Sequence, residues 1–254
     1  MATKQDIVKN LEAIGIKKGD KLLIHSSFKS LGPVEGGIET FIDAFKEAVG
    51  EEGTLMFPTF TYENVNAENP VFDIVKTPSC VGMIPEVFRH GEGVVRSLHP
   101  THSLAVWGKD KEYYVSNHHA DQNCLDKNSP IMKLKDNGGK ILIVGCGLKK
   151  NTLLHGLEIA CKVPYAFGVD FQDPRYHRDY ICIDENGVEH KREFFHVFAR
   201  ESGWAHNFDK LAEVIPLTTV KLLEADTYIF DAQKLWSDIE KAFEKDPYCL
   251  AEKC

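Results

Sequence analysis

KLLIHSSFKSLGPVEGGIETFIDAFKEAVG, residues 21–50, holds three elements in succession. Leu22-Leu23-Ile24 is a short apolar run, read as a buried strand that ends at His25-Ser26-Ser27. Gly32-Pro33-Val34-Glu35-Gly36-Gly37 is a glycine-rich loop. Beyond it Ile38, Phe41, Ile42, Phe45 and Val49 recur at helical spacing until Gly50 ends the pattern. Strand, loop and helix in this order open an α/β unit.

The flanking sequence continues that alternation. Ile7, Val8, Leu11, Ile14 and Ile16 predict a helix over 6–16, turned by Gly19-Asp20 into the strand. Thr54 to Phe57 predicts a second strand running into Pro58, and 59–80 is too long for an idle connector. A short helix is expected from Val81 to Arg89, then strands at Ser103–Trp107 and Lys140–Val144, with a helix near 110–117 and a polar loop through Ser129-Pro130 between them. Leu153 to Ala160 predicts a helix stopped by Pro164, and the Asn186-Gly187 turn after Tyr180–Ile183 predicts a hairpin that makes the sheet mixed. Strands near 218–223 and 227–230 precede an amphipathic helix from Ala232 to Phe243. With no repeat, low-complexity tract or linker, the expectation is one α/β domain over 1–254, a mixed central β-sheet flanked by helices.

Composition narrows the function class. The 254 residues divide into one or two domains at roughly 150 residues each. At 43% hydrophobic and 27% charged residues, the chain has the composition of a folded globular protein. Thirty basic against 38 acidic residues give −8, against the basic patch that a nucleic-acid binder needs. The longest apolar run, Ile141 to Leu148, is too short to span a bilayer, and the N-terminus has no signal-peptide pattern, so no membrane partner and a cytoplasmic location are expected. Seven scattered cysteines without a Cys-x-x-Cys pair fit reduced thiols.

Four clusters hold the chemistry. His25-Ser26-Ser27 with the Gly32–Gly37 loop and the following helix N-terminus reads either as an anion cradle or as a plain turn. Arg96-Ser97-Leu98-His99-Pro100-Thr101-His102-Ser103 offers a guanidinium for phosphate and two imidazoles as donors, or serves structure alone. His99 and His102 have no nearby companion ligand, and no metal is expected. In Thr152-Leu153-Leu154-His155-Gly156-Leu157-Glu158, a helix places His155 and Glu158 on one face, either a general base with its supporting carboxylate or a histidine satisfied inside the protein. Cys146, between Gly145 and Gly147, is a nucleophile candidate or a small buried residue.

Taken in order, these segments resemble the aminoglycoside 3-N-acetyltransferase family over roughly residues 5–165. The pieces are His25-Ser26-Ser27, Leu31 to Gly37, Gly53 to Phe60, Thr77 to Gly82, Arg96 to Ser103, Ser129-Pro130 and Thr152 to Glu158. The resemblance implies that family's α/β fold, acetyl-CoA as donor and a cationic amino-sugar amine, at the 3-N position of an aminoglycoside, as acceptor. Carried over by position, it implies His155 as base and Glu158 as its partner. It further implies Ser26, Ser27, Gly32, Val34, Gly36 and Gly37 as the loop for pantetheine and phosphates, with Arg96, His99 and Ser103 beside it. A polycationic acceptor calls for carboxylates, and Glu63, Glu68, Asp73, Asp121 and Asp126 stand in loops that suit this. Acceptor choice is expected to rest on the 60–80 loop and on residues beyond Pro164.

Overall fold

The computed structural model describes residues 1–167, 177–195 and 203–254. In chain order its elements are α1 (Lys4–Ala13), β1 (Lys21–Ser26), α2 (Gly37–Val49), β2 (Thr54–Pro58), β3 (Val71–Asp73), α3 (Met83–Arg89), β4 (Val95–Arg96), β5 (Leu104–Gly108), α4 (Lys111–Val115), α5 (Pro130–Asp136) and β6 (Lys140–Val144). Then follow α6 (Leu153–Ala160), α7 (Pro164–Phe167), β7 (His177–Ile183), β8 (Glu189–Phe195), β9 (Trp204–His206), α8 (Leu211–Val214), β10 (Thr219–Leu222), β11 (Ala225–Asp231), α9 (Ala232–Lys245) and β12 (Ala251–Lys253).

The central sheet has seven strands in the order β10-β11-β6-β1-β2-β5-β4. β1 lies between two parallel neighbours, with Leu23 opposite Met56 of β2 and Ile141 of β6. The remaining ladders are antiparallel. Strand side chains alternate between the two faces of a sheet, so two cores follow from one register. Leu22, Ile24, Leu142 and Val144 pack on the side of α1, α2 and α3 with Ile7, Phe41, Phe45 and Phe88. Leu23, Ile141 and Ile143 pack on the opposite side with Leu134 of α5, Leu154 and Leu157 of α6 and Leu235 of α9. His25 follows the same alternation as Leu23 and therefore faces the α6 side.

The central sheet is mixed, but for a different reason than the expected hairpin. β7 and β8 pair as that hairpin and join β3 in a separate three-stranded sheet; β5, β4, β10 and β11 supply the antiparallel ladders of the central one. Two prolines also act differently from expectation. Pro130 begins α5 after Ser129, and Pro164 begins α7, because the missing N–H of proline is harmless in a first helical turn. The four short strands β3, β4, β9 and β12 carry no periodic signal in two or three residues. Among the described residues, no helix is long and apolar enough to cross a membrane.

Candidate active site

The carboxyl ends of the parallel strands β1, β2 and β6 open onto one cavity of about 730 Å³. This is where open α/β sheets place ligands, because the connections leave the strand ends on opposite faces and part there. Its walls include His25 and Ser26 from the end of β1, Phe60, Tyr62 and Glu63 after β2, and Cys146, Lys149 and Lys150 after β6. Gly145 makes the last turn possible. Its φ is +63°, and a Cβ there would lie 1.8 Å from the Ser30 Oγ, so only glycine lets the β6 end meet the turn after β1.

α6 starts just beyond that turn and presents His155 to the cavity. Its Nδ1 is 2.8 Å from the Glu158 Oε2. A carboxylate only accepts, so Nδ1 carries the proton and the lone pair of the neutral ring sits on Nε2. Glu158 is fully buried, and the Tyr165 phenol lies close enough that burial first, and the Glu158 charge second, push the phenol well up. Phe208 packs 4.8 Å from the His155 ring, which fixes its orientation. A histidine at a cavity wall, backed by a buried carboxylate, is hardware for taking a proton.

The other walls hold neutral hydrogen-bonding groups and cations. His25 is buried and uncharged: burial, aided by the Lys150 charge, pulls it down to about 3. Among the described residues, neither its Nε2 nor the Ser26 Oγ has a hydrogen-bond partner. Buried polar atoms without partners at a cavity wall are positions that a polar ligand can satisfy. Burial pushes the Cys146 thiol up to about 11, so it stays protonated near neutrality and is a poor nucleophile.

Several expected site residues lie elsewhere. All three guanidinium nitrogens of Arg96 bond inward: Nε to the Thr59 and Ser103 hydroxyls, Nη1 to the carbonyls of Ile74 and Thr77, and Nη2 to the Thr59 carbonyl. Ser103 donates to the Thr59 carbonyl, and the Nδ1 of His99 accepts from the backbone N–H groups of Thr101 and His102. These three residues hold the wall together and do not line the cavity. Of the loop residues, Ser26 lines it and Ser27, Gly32, Val34, Gly36 and Gly37 do not. The loop is tied to the N-terminus through Ala2 and Pro33, and the Glu224 carboxylate crowds Gly32, which opposes a phosphate at that point.

Among the expected carboxylates, Glu63 lines the cavity. Asp73 and Asp126 accept backbone N–H groups of their own turns, and Asp121 is buried against Asn128; Glu68 lies in an exposed turn. The residues that the sequence did not single out are Lys149, Lys150 and His206. The two lysines sit in a 3-10 turn (Leu148–Lys150) whose role appears only when β6 is placed beside β1. Parts of the segment beyond Pro164, residues 168–176 and 196–202, lie outside the described residues.

A family described as aminoglycoside 3-N-acetyltransferase matches residues 23–244. The chain belongs to the aminoglycoside 3-N-acetyltransferase family. This is a family of acyltransferases, and the match runs past Pro164, where the sequence offers few anchors of its own. Aminoglycoside N(3)-acetyltransferase VIII of Streptomyces fradiae is 32% identical over 68% of this chain, and the aligned part spans 66% of that protein. Two solved acetyltransferase structures share the fold: AAC-IIIb in a binary complex with CoASH, at TM-score 0.77 and 23% identity over 96% of this chain and 97% of that one, and AAC-VIa bound to sisomicin, at TM-score 0.77 and 23% identity over 96% and 98%.

Proposed function

We propose that residues 1–254 form one acetyltransferase domain that moves an acetyl group from acetyl-CoA to an amine, the 3-N amine of an aminoglycoside. The reading is carried by the 2.8 Å His155–Glu158 pair at the mouth of parallel strands. It is supported by the family and by the CoASH and sisomicin named for the two solved relatives.

In this reading His155 Nε2 takes a proton from the acceptor amine as its nitrogen attacks the thioester carbonyl. Glu158 stabilises the imidazolium that results. Carbon–sulfur cleavage then releases the coenzyme thiolate, which receives the proton. Base catalysis of this kind contributes about 10²–10⁴-fold, and the remainder comes from holding the two substrates together. The Ser26 hydroxyl and the His25 Nε2, both without a hydrogen-bond partner among the described residues, are our candidates for holding the pantetheine end or the oxyanion. Lys149 and Lys150 in the cavity wall are candidates for its phosphates, and the run from Ser27 to the α2 N-terminus, which lies outside that wall, is the remaining candidate for the arm beyond it. Glu63 is the candidate anion for the amino sugar. A thioester made in the cytoplasm and seven free cysteines agree with a cytoplasmic enzyme.

The test is mass spectrometry of an aminoglycoside panel incubated with the protein and acetyl-CoA. Acetylated drug is expected, and His155→Ala should lower its formation by about 100-fold or more while CoA binding persists. A near-normal His155→Ala enzyme would remove the base; CoA binding without any acetylated drug would move the acceptor to another amine.

A further inference from the structure

His206 comes to this site from a part of the chain that the proposed reaction does not use. It ends β9, which pairs with β12 through Ala251 opposite His206. Its ring meets His155 edge-on at 4.8 Å and stacks on the buried Phe208 at 5.0 Å. One nitrogen from each histidine and one oxygen of Glu158 all lie within 4.8 Å of one another.

We infer that His155, Glu158 and His206 form a binding site for a divalent transition metal of the Zn²⁺ class, open to the cavity. Two imidazoles and one carboxylate are ligands that such ions favour, with bonds of about 2.0–2.2 Å. Closing from the observed spacing onto one ion takes a movement of about an ångström. The exposed His206 side chain can supply it, while Glu158 is buried and His155 is braced by Phe208. Phe208 gives the ligands an apolar wall, and the cavity leaves an entry path and room for a water as fourth ligand. The consequence for catalysis rests on the base reading above: because Glu158 lies on the Nδ1 side of the ring, a shared ion takes Nδ1 in place of its proton, the neutral ring then carries its proton on Nε2, and the base loses its lone pair.

The test is a Co²⁺ titration of the intact protein with its thiols reduced and no substrate present, followed by absorption. One Co²⁺ per chain is expected, with tetrahedral visible bands and no thiolate charge-transfer band, displaced by Zn²⁺. His206→Ala and Glu158→Gln, each checked by circular dichroism for native structure, should bind it about tenfold more weakly or worse. No binding at millimolar Co²⁺, a thiolate band, or unchanged affinity in both variants would overturn the site. Binding as expected alongside normal turnover in His155→Ala keeps the metal site and discards the base.

Discussion

Glu158 is the residue on which the proposed chemistry turns, because it holds the His155 Nδ1 at 2.8 Å and has no exposure to solvent. A buried carboxylate there sets which ring nitrogen carries the proton and lowers the energy of the charged ring. Glu158→Gln retains the volume, yet its amide N–H can face Nδ1 and hold the wrong tautomer, and the stabilising charge is gone. The expected result is a fall in kcat of about tenfold or more with the KM for acetyl-CoA little changed. Steady-state kinetics with acetyl-CoA varied checks it, and an equal rise in KM would make Glu158 a substrate contact. This pair is legible in the chain because its members are three residues apart on one helix, where the spacing alone makes them neighbours.

The segment between β2 and α3 shows how an element without periodicity becomes a wall of the site. It holds β3, Phe60, Tyr62 and Glu63, and the Arg96 guanidinium ties its carbonyls at Thr59, Ile74 and Thr77 to the edge of the central sheet. The same guanidinium lies 4.9 Å over the Phe72 ring. Burial pulls it down to about 9, still charged at neutral pH. The sequence offers Arg96 either as a phosphate partner or as a structural residue; bonds from all three guanidinium nitrogens to Thr59, Ile74, Thr77 and Ser103 make it a clamp inside the protein. Arg96→Met should therefore destabilise the fold by about 2–4 kcal/mol, from buried acceptors left unpaired at about 1–3 kcal/mol each. Urea unfolding checks the loss, and a variant of unchanged stability would show that the segment holds without the clamp.

Buried histidines give the molecule as a whole a pH response. Burial holds His25 down at about 3 and His118, packed by Ser97 and His99, well below the usual 6.5. Below about pH 6.5 the unfolded chain protonates both rings while the folded chain does not, so stability is complete above that pH and falls as pH drops, by about 1.4 kcal/mol per unit for each ring. Asp121 acts in the opposite sense. Burial pushes it up to about 6, so between 6 and its usual 3.8 the folded state holds the extra proton and gains stability on acidification. Two rings against one carboxyl leave a net loss of about 1.4 kcal/mol per unit below about pH 6. Urea unfolding at about pH 7.5, 6.5 and 5 measures it, and a flat profile would contradict neutral burial of these rings.

Near-neighbour patterns in the chain were enough for the α/β class, for β1, α2, β2, β6 and α9, and for the His155–Glu158 pair, since helical and strand periodicity and an i, i+3 spacing act within a few residues. Pairing partners and the cavity came only with the tertiary structure. β7 and β8 read as a hairpin from their turn, but nothing local says that their third strand is β3. Lys149, Glu63 and His206 are far apart in sequence and meet only because β6, β1 and β2 align their ends and β12 holds β9 in place. Arg96 turned inward for the same reason: apart from the nearby Ser103, its acceptors lie 19 to 37 residues away and exist as a set only after the chain has closed on itself.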